Sequence, residues 1–137
     1  MSAFWDTNVF VYAFIAGPKQ QIARRALVSG GVISVQVLNE FANVMTRKMR
    51  QSWEDVERFL SAIHVRFPTA TPLTIHTHAT ARALARDHSI AFYDALIVAA
   101  AIEAGCDRLY SEDLQHGRRF GDCVVVNPFL ASDLSRL

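Results

Sequence analysis

Between Ile90 and Ile102 the chain carries a single charge, Asp94, inside the run Phe92-Tyr93-Asp94-Ala95-Leu96-Ile97-Val98-Ala99-Ala100-Ala101. Its length, and the glycine at Gly105, predict a helix from Phe92 to Ala104. A helix apolar on every side has no face to give to water and must lie largely buried. A chain of 137 residues has room for one such core and not for two. With 51% hydrophobic residues and only 6 Gly and 4 Pro, it can fill that core, which excludes intrinsic disorder.

The rest of the pattern alternates short strands with helices. Ala3–Trp5, Val32-Ile33, Arg108–Tyr110 and Cys123–Val126 read as strands, and Pro68–Leu73 as a loop or edge strand. Helices are predicted from Val9 to Ile15 with Asn8 or Thr7 as cap, from Gln20 to Ser29, and from a Ser34 cap to Met49. Two more run from a Ser52 cap to about Val65 and from Thr74 or Thr77 to about Asp87. In the Ser34–Met49 helix the apolar stripe is Val35, Leu38, Ala42, Met45 and Met49. Ser111–Gly117 reads as a turn-rich loop. The alternation favours a parallel sheet covered on both faces, whose ligands sit beyond the carboxyl ends of the strands. With no linker or repeat, residues 1–130 read as one domain and 131–137 as a C-terminal tail.

Net charge is +1, which excludes a polycation that coats nucleic acid by charge alone. The two cysteines, Cys106 and Cys123, form no CxxC or metal spacing and read as small buried thiols of a reduced, cytoplasmic protein. Asp6 breaks the apolar N-terminus, making it a poor signal peptide, and no run approaches the ~20 apolar residues that span a bilayer. The five histidines show no ligand spacing and read as non-ligands.

The acids are more telling. Asp6 and Asp113 each fall just past the carboxyl end of a predicted strand, on one rim of the sheet. The sequence leaves open whether Asp113 or its neighbour Glu112 points inward. Asp94 lies in the first turn of the buried helix, where free N–H groups and the helix dipole favour a negative charge. Glu40 points away from the main stripe of its helix, but Val37, Phe41 and Val44 beside it imply that this side is partly covered. Four acids in one pocket repel: two charges ~5 Å apart at an effective dielectric of ~20 cost roughly 3 kcal/mol. A divalent cation relieves that repulsion, and all-oxygen ligands select Mg²⁺ or Mn²⁺ over Zn²⁺.

The segments Phe4-Trp5-Asp6-Thr7-Asn8, Asn39-Glu40-Phe41, Phe92-Tyr93-Asp94-Ala95 and Tyr110-Ser111-Glu112-Asp113-Leu114 resemble the acidic motifs of PIN domains. The closer likeness is to the VapC toxins of bacterial toxin–antitoxin pairs, and it runs to about Asn127-Pro128-Phe129. The resemblance implies a Mg²⁺-dependent endoribonuclease on a three-layer α/β/α fold with a mostly parallel five-stranded sheet. It implies Asp6, Glu40, Asp94 and Asp113 as the catalytic, metal-holding quartet, with Thr7, Asn8 and Ser111 as polar supports. It also implies a cognate antitoxin whose segment blocks the pocket.

Without those four acids the balance is 14 basic against 9 acidic residues. Arg24, Arg25, Arg47, Lys48 and Arg50 are the candidates for an RNA-gripping rim. Trp53, Phe59 and the Val37/Phe41 flank exceed what a small core needs, which suggests a homodimer. A phosphoacceptor receiver domain shares the architecture, but it needs a lysine near a late strand, and both lysines here come early. The remaining alternative is a PIN-fold interaction module with no metal-dependent activity.

Overall fold

The computed structural model describes residues 2–130, so the tail expected at 131–137 lies outside the described residues. Three β-strand–helix–helix units follow one another. They are β1 (Ala3–Trp5), α1 (Thr7–Phe14) and α2 (Gln20–Leu27); β2 (Ile33–Ser34), α3 (Val35–Arg47) and α4 (Trp53–Arg66); and β3 (Ala70–Thr71), α5 (Ile75–His88) and α6 (Phe92–Glu103). The chain ends in β4 (Arg108–Tyr110), β5 (Arg119–Phe120) and β6 (Cys123–Val126).

β1 pairs in parallel with β4, and β4 with β6. β2 and β3 pair in parallel and continue the sheet through a parallel bridge from Val32 to Phe4. The spatial order is therefore β3-β2-β1-β4-β6-β5. The five predicted strands are the parallel ones. The sixth, β5, is a two-residue antiparallel edge strand inside a stretch too short and too charged to show alternation. Parallel neighbours need a crossover, and helix pairs supply each of the first three, giving a three-layer α/β/α domain.

The α6 prediction holds: Ala95 to Ala101 are all buried. Its small side chains let it lie close to α5, where Ala81 meets Ala95, Leu96 and Ala99. Because α6 feeds β4 and runs counter to it, its N-terminal turn comes out at the carboxyl edge of the sheet. Trp5 stacks on Tyr110, with ring centroids 4.2 Å apart, across the β1–β4 pair. The Trp5 indole N–H donates to the Gly30 carbonyl at 2.9 Å. Gly31, at φ +143°, passes so close to β1 that a β-carbon there would meet the Ala3 carbonyl oxygen at 2.5 Å.

Three expectations change. The cap of α1 is Asp6, not Thr7 or Asn8: leaving β1 in extended conformation, its carboxylate accepts from the Thr7 N–H at 2.7 Å. The helix therefore starts two residues earlier than its first apolar residue suggests. In α3 the core face is Val37, Phe41 and Met45, while Val35, Leu38 and Ala42 are only half-buried. The Val37/Phe41 flank is thus consumed by the core, and Phe59 stacks on Phe14. Of the residues read as surplus for a dimer, Trp53 stays exposed, at 63%.

Candidate active site

The geometry of the acids follows from the ends of β1, β2 and β4. Asp6 leaves β1 and is 3% exposed. Its second oxygen accepts from the Ser111 hydroxyl at 2.7 Å, directly after β4, the neighbouring strand. That hydroxyl in turn accepts from the Asp113 N–H at 3.1 Å. The Thr7 hydroxyl, one residue past Asp6, donates to Glu40 at 2.9 Å and draws α3 toward the same rim. Thr7 and Ser111 thus each donate a hydrogen bond to one of these carboxylates.

Electrostatics joins the four acids. Burial pushes the Asp6 carboxyl up to about 7 against the bonds from Ser111 and Thr7, and the charges of Asp113 and Glu40 add to the rise. Glu40 is raised by burial and by Asp94 and Asp113, despite the Thr7 bond. Asp94, half-buried, is raised by burial and by Asp113. Asp113 acts on all three of the others.

Glu112 does not share that field. Burial opposes its ionisation, but the Lys19 ammonium and the Tyr12 hydroxyl hold its carboxyl below the usual value. Of the two neighbours left open in the sequence, Asp113 is the one whose charge acts on Asp6, Glu40 and Asp94, while Glu112, on the wall of the same cleft, is bound by Tyr12 and Lys19.

A cleft of about 340 Å³ opens here, lined among others by Thr7, Asn8, Glu40, Asn43, Lys48 and Asp113. Lys48 is the one of the five predicted basic residues on its wall. Arg24 and Arg25 border a separate hollow on α2, and Arg47 and Arg50 are exposed. Sequence reasoning missed Asn43, Tyr12 and Lys19. The only signal for Lys19 was its place after Gly17-Pro18, a break that returns the chain toward the rim.

A PIN-domain model matches residues 3–119. The chain belongs to the PIN-domain family. Three solved structures share the PIN fold. A toxin–antitoxin complex from Klebsiella pneumoniae superposes with a TM-score of 0.72 at 21% identity, covering 93% of this chain and 98% of that one. VapC20 from Mycobacterium tuberculosis, described as a sarcin-ricin loop cleaving toxin, gives 0.63 at 21% identity over 80% and 88%. VapBC2 from Rickettsia felis, bound to a DNA fragment from its promoter, gives 0.68 at 18% over 93% and 98%. No curated protein matches this sequence.

Asp6, Glu40, Asp94 and Asp113 are the candidate holders of a cation. Among the described residues, no three His, Cys, Asp or Glu side chains are arranged to hold a metal by themselves. Mg²⁺ does not require that, because it keeps several waters and is held through one or two carboxylates. The donors fit such a hydrated ion. They are all oxygens, and three of the acids have raised pKa values, chiefly through burial and further through one another's charge. Beside them, both polar atoms of the Asn8 side chain are buried without a hydrogen-bond partner. A buried amide with neither bond made costs on the order of 1–3 kcal/mol for each unpaired group, and water at the ion would satisfy it. Asn8 makes no hydrogen bond to a carboxylate here, and its amide is left for solvent or ligand.

Proposed function

We propose that this PIN domain is a Mg²⁺-dependent endoribonuclease, the toxin of a cytoplasmic toxin–antitoxin pair, with Mn²⁺ as a substitute ion. The observation that carries this reading is the coupling of Asp6, Glu40, Asp94 and Asp113 at the carboxyl edge of the sheet, with no basic group among the described residues acting on Asp6, Glu40 or Asp94. Asp6 and Asp94 are the best direct or water-bridged ligands, and Glu40 and Asp113 complete the shell. The bound ion supplies a lowered pKa for the attacking water and a counter-charge for the phosphate.

The chain's own residues do the rest. Ser111 and Thr7 fix the Asp6 and Glu40 carboxylates, so that little rearrangement is needed on binding. Glu40 or Asp113 accepts the proton of the attacking water and aligns it opposite the leaving 3′ oxygen. The products carry a 5′-phosphate and a 3′-hydroxyl. Lys48, on the cleft wall, meets the backbone of the RNA, with Arg24, Arg25, Arg47 and Arg50 as an outer rim. An antitoxin segment that fills the cleft would silence it. A second copy of the chain is the other expected partner.

The test is cleavage of single-stranded RNA by pure protein, with and without EDTA, and by Asp94→Asn. Cleavage that survives EDTA or the substitution overturns the mechanism. The rival reading is a non-catalytic PIN-fold interaction module with no metal-dependent activity. Titration with Mn²⁺ separates the two, since a module without metal affinity gives no heat.

A further inference from the structure

The loop after β4 is pinned twice just before Asp113, once inward and once outward, and only the inward tie was foreseeable. Ser111 ties it inward to Asp6. Glu112 ties it outward: one carboxylate oxygen accepts from the Tyr12 hydroxyl at 2.6 Å, and the other from the Lys19 ammonium. Lys19 is held in turn. Its nitrogen lies 4.8 Å from the centre of the Tyr12 ring and 5.2 Å from that of Phe129, and those two rings meet edge to face at 5.1 Å. Tyr12 comes from α1, Lys19 caps α2, and Phe129 follows β6. Three separate parts of the chain therefore converge on one carboxylate that is not itself in the acid cluster.

We propose that Lys19 and Glu112 are positioning residues, a tether that sets where the exposed Asp113 carboxylate stands relative to Asp6, Glu40 and Asp94. The inference rests on the nuclease reading for its consequence but not for its geometry. A lysine on the rim of a nuclease cleft invites a simpler role, gripping phosphate. Lys19 already has an acid partner and two aromatic faces, so binding RNA would require breaking the tether.

The variants are Lys19→Met, Glu112→Gln, Lys19→Arg and the exchanged pair Lys19→Glu with Glu112→Lys. Three quantities are read: Mn²⁺ affinity by calorimetry, kcat and KM on a random-sequence single-stranded RNA, and amide hydrogen exchange at residues 112–114. Loss of an outer partner of a metal ligand typically costs 10–100-fold in affinity or activity. The expected result is a loss of about 10-fold in Mn²⁺ affinity and kcat for Lys19→Met and Glu112→Gln, with KM within about twofold and faster exchange in the loop. Lys19→Arg keeps most of each quantity, and the exchanged pair recovers it. Wild-type Mn²⁺ affinity and exchange in both single variants overturn the tether. So does a rise in KM alone that the exchanged pair leaves unrepaired, which marks a phosphate grip instead. If the wild type neither cuts RNA nor binds Mn²⁺, the nuclease reading fails, and the exchange measurement still decides the tether.

Discussion

Replacing Asp6 by Asn should make the protein more stable at pH 8 and less stable at pH 4. In the folded chain Asp6 titrates near 7 against an ordinary 3.8. At about 1.36 kcal/mol per unit, the charge costs about 4 kcal/mol once it is fully formed. The sign follows from proton binding. Between pH ~4 and ~7 the folded state holds a proton that the unfolded state has lost, so stability falls across that window and is flat above it. Asn removes this dependence. It remains a good cap for α1 and keeps an acceptor for the Thr7 N–H, but its amide forces the Ser111 hydroxyl to turn round, at about 1–1.5 kcal/mol. The net is a gain of about 2.5–3 kcal/mol at pH 8, or about 8–12 °C in Tm for a domain of this size. At pH 4 the sign reverses. Thermal unfolding in EDTA at both pH values checks this. Saturating Mg²⁺ should then narrow the gap at pH 8, since an ion at 100 times its Kd adds about 2.7 kcal/mol to the wild type alone. An Asn variant that is destabilised equally at both pH values would refute the reasoning.

Gly31→Ala should cost at least about 2 kcal/mol, because both its φ and its approach to the Ala3 carbonyl oppose a side chain; urea unfolding measures it. Cys106 and Cys123 are both buried, and burial lifts both thiols, Cys123 to about 11, so neither should react with a thiol reagent at pH 8 until the chain unfolds. Lys48→Ala should weaken RNA binding uniformly across sequences and lower the slope of log affinity against log salt by about 1. An unchanged slope removes Lys48 from the interface.

What the sequence revealed and what it hid divide along physical lines. Burial leaves a clear mark, so α6, the caps at Ser34 and Ser52 and four of the five parallel strands could be read directly, while the half-buried β3 read only as a loop or edge strand. Asp94 stood out because a charge in an apolar run must be accounted for. The face of α3 was misjudged because its apolar residues form two stripes, and only the neighbouring elements decide which is covered. β5 was missed because two residues carry no period. The link from Glu112 to Tyr12 and Lys19 spans 100 and 93 positions, and no local pattern encodes a contact at that distance.

The Ser111 hydroxyl has one proton, and it is spoken for. It donates to the Asp6 carboxylate and accepts from the backbone N–H of Asp113, so the most buried acid of the set and the backbone of the exposed one share a single oriented dipole. Whatever strengthens the pull at one end polarises the bond at the other. A counter-charge arriving at Asp6 would thus be felt at the amide that orients the Asp113 loop.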